Sequence, residues 1–338
     1  MCWKMRADTV IFTAPRSAEI VERDIGEVGP GDLAIETVVT LISTGTEMTG
    51  YTGDFPDTSR WAEYVRYPFQ PGYSSIGRVT ETGKGVEGFS VGDMVFSWAR
   101  HATRAIVGAD RATKVPEDIS PGQAAFGTLG QIAINGVRLG EMALGDSVVI
   151  AGVGPVGMLA LQAARLSGAC PLIALDVSQQ RLDLALDHGA DALINGGEED
   201  PVAVISGLTG GRMADMVYDV TGNPAFTPTG LRLLKKRGKY VVLGSPRGPV
   251  EIDLHNEVHS LGLRIIGAHN LMHSPVETHF NQWTLERDIE LFFELVRSGR
   301  MVVDDLVSHR FRWDRAPEAY RLLDSKREAT MGVLLEWE

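Results

Sequence analysis

Cysteine is nearly absent. Cys2 and Cys170 are the only two in 338 residues, too few for a disulfide framework or a cysteine-rich zinc knuckle, and a reducing cytoplasmic setting is expected. Also missing is any stretch approaching the roughly 18 uninterrupted apolar residues of a membrane span. The opening MCWKMRADTV has no charged start followed by an apolar run, so neither export nor insertion is expected. Positive charge is in deficit: 32 Lys and Arg face 44 Asp and Glu, a net charge of −12. Such a surface repels phosphate backbones and anionic lipid, which excludes nucleic acid and membrane as expected partners. Internal repeats and low-complexity tracts are lacking too. What remains is ordinary for a globular protein, with 44% hydrophobic and 22% charged residues. The length exceeds what one core usually accommodates, so two domains are expected.

Through the first hundred or so residues apolar and polar positions alternate between turn residues, in LAIETVVTLIS, SSIGRVTETG, GDMVFSW and TRAIVGA. A period of two broken by Gly and Asp predicts short antiparallel strands forming a barrel or sandwich. From about residue 120 the character changes. PGQAAFGTLGQIAINGVRLG predicts a helix, and SVVIAGVGPVGMLALQAARLSGACPLIALDVS reads as strand, Gly-rich turn, helix and strand. Further alternation follows: RLDLALDHGAD as helix, MADMVYDVTG as strand, PAFTPTGLRLLKKRG as helix, then KYVVLGS and LRIIGAH as strands. This order predicts an α/β fold with a doubly wound parallel sheet. After residue 268 an irregular segment leads into TLERDIELFFELVRSGR, a helix, and two short strands flanking PEAYRLLDS. That tail is too short to be a domain by itself. The expected division is a β-rich domain of residues 1–128 and 269–338, a second domain of residues 129–268, and a cleft between them.

Gly152, Gly154 and Gly157 form G-x-G-x-x-G, with Pro155 and Val156 filling the last variable places, between the apolar strand SVVI and the helical run MLALQAARL. In that context the first Gly permits a tight turn, the second lets the backbone approach a pyrophosphate, and the third lets helix pack on strand. Asp176 ends the next strand, where a carboxylate accepts hydrogen bonds from ribose hydroxyls and repels a 2′-phosphate, so NAD is expected over NADP. Arg181, five residues on, is placed to flank the adenine or support a phosphate. The competing readings are a Gly turn that binds nothing and a different cofactor, such as a methyl donor.

The β-rich start, GVGPVG, RLDLALDHGADALIN, DVTG at 219–222 and the closing HRFRWDRAPEAYRLLDSKREATMGVLLE together resemble the medium-chain dehydrogenase/reductase family across nearly the whole chain, on its polyol and threonine dehydrogenase side. The resemblance implies a GroES-like fold for the β-rich catalytic domain and a Rossmann fold for the NAD-binding domain. It adds Thr221 of DVTG to the cofactor set, puts the substrate beside the nicotinamide, and implies a homodimer or homotetramer. Zinc-dependent members carry a Cys in a C-G-T-D-like motif, a His in G-H-E, and a third ligand further on. Here STGTE places Thr44 where the Cys would be, QPGYS places Tyr73 and Ser74 where the His and Glu would be, and AAFGTLG places Thr128 near the third position. No four-cysteine lobe follows Val95. Hydroxyls are poor ligands for zinc, so no metal is expected and the chain reads as a zinc-free branch. The STGTE and PGY pair is also similar to the bacteriochlorophyllide dehydrogenase group, which oxidises a secondary alcohol.

Without a metal, positioned donors and a proton-handling side chain must meet the charge on the substrate oxygen. Tyr73 is the leading candidate. Thr46 stands where zinc members keep a proton-relay hydroxyl, Glu47 matches the family's acidic position behind the metal, and Thr44 and Thr128 line the pocket or assist. His101, after FSWAR, is the nearest imidazole in this domain. Plainer readings compete: Tyr73 as a turn aromatic packed on Phe69 and Ile76, and His101 as a satisfied structural histidine. His269, His273 and His279 read as loop polarity. Trp61, Trp98, Trp283, Tyr51 and Phe55 are candidates for a substrate wall, or for core. The expected function is a zinc-independent, NAD-dependent oxidoreductase moving a hydride between nicotinamide and a secondary alcohol or ketone, of a sugar, cyclitol or polyol. The alternatives are an NAD(P)H-dependent reductase of a conjugated enone or quinone, and a non-catalytic dinucleotide-binding protein.

Overall fold

A computed structural model describes residues 5–338 except 271 and 275. The chain separates into two compact units, Met1–Thr128 with Ile289–Glu338, and Leu129–Asp288. In the first, β1 (Met5–Ala14) and β2 (Ser17–Gly26) form an antiparallel hairpin. β3 (Asp32–Ile42) pairs antiparallel with β4 (Ser75–Thr82), β4 continues to β5 (Met94–Ser97), β6 (Arg104–Gly108) lies on β3, and β7 (Ala112–Lys114) lies on β5. Leu33, Ala34 and Ile35 are all fully buried, as befits the spine of a closed β structure with neighbours over both faces.

The second unit is a six-stranded parallel sheet. Its strands are β8 (Val148–Ala151), β9 (Leu172–Asp176), β10 (Ala192–Asn195), β11 (Ala214–Asp219), β12 (Leu234–Val242) and β13 (Arg264–Gly267), in the order β10-β9-β8-β11-β12-β13. Every residue of β8 is 0% exposed, the continuous apolar run that a sheet covered by helices on both faces requires. From β8 the chain moves outward through β9 to β10, then returns to place β11 beside β8. That reversal makes the carboxyl ends of β8 and β11 the switch point where such sheets bind ligands.

Two strands then close the first unit's sheet: β14 (Val307–Arg312) pairs parallel with β15 (Gly332–Glu336), and β15 pairs antiparallel with β3. Between them the helix Ala316–Ser325 buries Tyr320 against Phe12 and Tyr51, with ring centroids 4.8 Å from Phe12 and 5.4 Å from Tyr51. Each such aromatic pair adds about 0.5–1.5 kcal/mol beyond its buried area.

Three local expectations change. The run 120–140 is two helices, Pro121–Ala124 and Gly127–Leu139, the first closed by a capping box at Ser120. In PAFTPTGLRLLKKRG the helix stops at Arg232, and LKKRG already belongs to β12, because Leu234 pairs with Ala214 across an irregular register. The segment 269–288 groups with the second unit, where the expectation gave it to the first. Asp288, 0% exposed, holds it there through a two-pronged ion pair with Arg138 (2.8 and 2.9 Å) and a 3.1 Å contact with His273. Among the described residues no helix is long and apolar enough to cross a membrane.

Candidate active site

In the second unit the site is built from backbone. β8 runs into Gly152, whose φ of +84° belongs to the left-handed region. A Cβ on Gly157 would stand 1.8 Å from the Gly152 carbonyl oxygen, so only glycine lets the helix approach the turn. That helix, Pro155–Leu166, begins at Gly154 with no side-chain cap, and Pro155 has no N–H to place. The remaining amides of the first turn, Val156 and Gly157 among them, are left for an anion. Asp176 closes β9 at 7% exposure, its carboxylate accepting from the amides of Val153 (2.8 Å), Val177 (2.8 Å) and Ser178 (3.0 Å). Arg181 Nη1 lies 4.0 Å from the same carboxylate. Thr221, at the end of β11, packs on Gly152. Its hydroxyl donates to Asp219 (2.6 Å), whose other oxygen accepts from Tyr240 (2.6 Å). An uncapped helix start, two close backbone approaches and a fixed acid at the next strand's end fit a dinucleotide diphosphate and its ribose.

In the first unit the candidate site is built from side chains. β3 ends in the turn Ser43-Thr44-Gly45, which leads into the short helix Thr46–Thr52. Glu47 faces inward at 2% exposure. Its Oε1 accepts from the Ser43 amide (3.0 Å), and its Oε2 accepts from Tyr320 Oη (2.6 Å) and lies 2.9 Å from His101 Nε2. Gly72, at φ +99°, brings the Pro-Gly turn against His101, since a Cβ there would sit 2.5 Å from the His101 amide nitrogen. The turn delivers Tyr73, half-buried, whose hydroxyl donates to Ser43 Oγ and is also hydrogen-bonded by Thr46. Burial and the Glu47 charge push the phenol above the ordinary tyrosine range, against the opposing effect of the Ser43 and Thr46 bonds. Burial and that charge both favour the protonated phenol, a hydrogen donor.

The structure thus gathers Tyr73, Thr46 and Glu47 around Ser43, with Thr44 half-buried in the same turn. His101 is 0% exposed with both ring nitrogens engaged, Nδ1 by Thr40 Oγ1 at 2.8 Å; its ring meets the site through Glu47, and its amide bonds the Pro71 carbonyl of the turn that carries Tyr73. Thr128 donates to the Tyr73 carbonyl (2.7 Å) and Ser74 to the Ala125 carbonyl (2.6 Å), so both hydroxyls hold backbone. Of the aromatic wall, Tyr51 is core at 2% exposure, Phe55 and Trp61 pack against that core, and Trp98 stands edge-on to Phe96. Trp283 lies in the second unit with the Arg138 guanidinium 4.0 Å over its ring. Sequence reasoning missed Ser43, although STGTE begins with it, and Tyr320, for which a partner 273 residues away leaves no local signal. The hydroxyl set at Thr44, Tyr73, Ser74 and Thr128 does not suit zinc, which takes thiolate, imidazole and carboxylate. Among the described residues no three His, Cys, Asp or Glu side chains group as a metal site.

Residues 29–134 match the alcohol dehydrogenase GroES-like domain and residues 155–284 the zinc-binding dehydrogenase domain. L-threonine 3-dehydrogenase of Bacillus subtilis (strain 168) is 30% identical over 332 residues, covering 84% of this chain and 93% of that one. The chain belongs to the medium-chain dehydrogenase/reductase family. Within that family, D-guloside 3-dehydrogenase of Shigella flexneri is 27% identical over 96% of this chain and 99% of its own. In fold, 2R,3R-butanediol dehydrogenase from Bacillus subtilis superposes with a TM-score of 0.81 at 20% identity, over 98% of this chain and 99% of the other. As a medium-chain dehydrogenase/reductase the protein is an alcohol-dehydrogenase-like oxidoreductase with a dinucleotide-binding Rossmann unit and a GroES-like unit.

Proposed function

We propose that the protein is an NAD-dependent dehydrogenase of a secondary alcohol on a sugar, cyclitol or other polyol, working without zinc. The reading assigns Gly152, Gly154, Pro155, Val156, Gly157, Asp176, Arg181 and Thr221 to the dinucleotide, and the substrate oxygen to Tyr73, Thr46 and the turn at Thr44. It is carried by one observation: the Tyr73 phenol sits among the hydroxyls of Ser43 and Thr46 beside the buried Glu47, where the resemblance to zinc members of the family places a histidine ligand. The D-guloside and L-threonine named for relatives at 27–30% identity both carry the secondary alcohol the reading requires, and the guloside supports a sugar. When bound, the nicotinamide supplies or accepts the hydride. In the reducing direction the Tyr73 O–H swings from Ser43 Oγ to the carbonyl oxygen and gives its proton to it as negative charge grows there, and the phenolate left, still bonded by Thr46, regains a proton from solvent; alcohol oxidation runs the same path in reverse, with Tyr73 accepting the proton. Donors aimed at developing charge are worth several kcal/mol, and a well-placed proton donor ~10²- to 10⁴-fold in rate. The Asp176 carboxylate favours NAD, with Arg181 the group nearest to it that favours a 2′-phosphate.

The test is steady-state kinetics with NAD across sugars, cyclitols and linear polyols, with and without a chelator. Turnover unchanged by chelator is expected, and Tyr73→Phe lowers it by at least ~10²-fold while dinucleotide affinity stays the same. Turnover that follows added zinc overturns the metal-free reading, and near-wild-type Tyr73→Phe removes Tyr73 from the chemistry. Strong preference for NADPH with conjugated enones favours the reductase alternative.

A further inference from the structure

We infer that Trp337, through Thr40, fixes His101 in a single neutral tautomer and so positions Glu47 behind Tyr73. The argument is one of donor and acceptor inventory. An indole N–H donates and never accepts, and Trp337 Nε1 donates to Thr40 Oγ1 at 2.9 Å. Thr40 is 0% exposed, and the remaining polar group bonded to its hydroxyl is His101 Nδ1 at 2.8 Å. Having accepted from the indole, the hydroxyl has its own hydrogen to place, and Nδ1 is where it goes. Nδ1 is then an acceptor, which puts the ring proton on Nε2, 2.9 Å from Glu47 Oε2. Every bond points the same way, from indole to hydroxyl to imidazole to carboxylate. An imidazolium, or the Nδ1–H tautomer, would turn a ring hydrogen on Thr40 and strand the hydroxyl hydrogen in a buried site, a cost of order 1–3 kcal/mol.

Glu47 receives two more donors, Tyr320 at 2.6 Å and the Ser43 amide at 3.0 Å. Three donors hold this buried carboxylate in place, and its negative charge opposes ionisation of the Tyr73 phenol. Trp337 is itself fixed, stacked on Trp313 with centroids 5.6 Å apart and planes 6° apart, its amide bonded to the Val38 carbonyl at 3.0 Å. Thr40, Trp337 and Tyr320 are accordingly positioning residues; none is assigned contact with substrate. The catalytic consequence rests on the dehydrogenase reading above, whereas the tautomer does not.

The experiment is ¹⁵N NMR of the full chain labelled at histidine, with kinetics of three variants. One ring, absent from the His101→Gln spectrum, is expected to show protonated Nε2 and unprotonated Nδ1. Trp337→Phe, which keeps the stack on Trp313 and deletes the N–H, frees the Thr40 hydroxyl to accept from Nδ1, so partial protonation of Nδ1 is expected with Nε2 still protonated toward Glu47, and kcat about tenfold lower with KM unchanged. Thr40→Val, which leaves Nδ1 with no hydroxyl partner, should lower kcat to a similar extent, and Thr40→Ser should keep the wild-type spectrum and rate. A charged ring or an Nδ1–H tautomer in the wild type overturns the inference, as does a Trp337→Phe spectrum identical to wild type. Failure to find an alcohol substrate would sink the dehydrogenase reading while leaving the spectrum decisive.

Discussion

The two units build their candidate sites from different materials. In the parallel-sheet unit the site is mostly backbone: its shape comes from side chains that are absent at Gly152, Gly154 and Gly157, and most of it lies within one strand-turn-helix unit and the end of the next strand, with Thr221 added from beyond β11. In the β-rich unit the site is side chains drawn from Ser43, Glu47, Tyr73, His101 and Tyr320, each on a different stretch except the first two. At Gly157 the backbone site tolerates no added atom, since the clash there is with the Gly152 carbonyl, which cannot rotate away. A side-chain network tolerates single losses in graded fashion, because each hydrogen bond carries only about 1–3 kcal/mol and its neighbours remain.

The sharpest way to break this contrast is Gly157→Ala. The added methyl would lie 1.8 Å from the Gly152 carbonyl oxygen, so the turn must open, and dinucleotide affinity measured by fluorescence titration should fall at least ~100-fold, about 2.7 kcal/mol. Retention of affinity within threefold would show that the turn adapts and that the steric account is wrong. A milder probe changes charge without shape. Asp176→Asn keeps the bulk beside the Val153, Val177 and Ser178 amides but removes the negative charge, leaving Arg181, now 4.0 Å from that side chain, as the nearby ion. The ratio of NADP to NAD affinity should rise about tenfold; an unchanged ratio would mean that the acid does not face the ribose.

The smallest effect tests graded tolerance inside the backbone-built unit. Burial raises the Asp215 carboxyl, but the Lys235 ion pair and the two bonds from Ser147 (2.7 and 2.9 Å) outweigh it and the net shift is downward. A carboxyl depressed in the folded state contributes stability above its unfolded pKa and loses it as pH falls through the folded one. Asp215→Asn should therefore cost about 1 kcal/mol at neutral pH, and urea unfolding should show the gap between variant and wild type closing in acid. A gap that persists there would assign the loss to packing.

Legibility in the sequence followed the same divide. The Gly-rich turn could be recognised because its requirements are local: a tight turn after an apolar strand, glycine where backbone meets backbone, an acid at the next strand's end. Of the parallel strands, β8, β9, β11, the end of β12 and β13 were legible as apolar-rich runs, whereas the four-residue β10 was not read as a strand, and β3 to β6 were legible as alternation. The start of β12 was not, because Leu-Lys-Lys-Arg prolongs a helical pattern until its pairing with Ala214 decides otherwise. Tyr73 and Glu47 could be singled out from the sequence because they stand in motifs. His101 could be named, but its burial could not, since nothing near FSWAR says that Gly72 and Thr40 close over the ring.

By itself, then, the amino-acid order indicated the parallel-sheet unit, its Gly-rich turn and the hydroxyl residues of STGTE and QPGYS, because each of these is written in residues close together in the chain. Only the tertiary structure decided that Ser43 receives the Tyr73 phenol, that Tyr320 and His101 converge on one oxygen of Glu47, and that Trp337 stands behind them. Those contacts join β3, its following turn and the Tyr73 turn to the chain's last helix and strand, across up to 297 residues. Hydrogen-bond direction over such separations is set by which groups folding leaves facing one another, and no spacing rule along the chain encodes it.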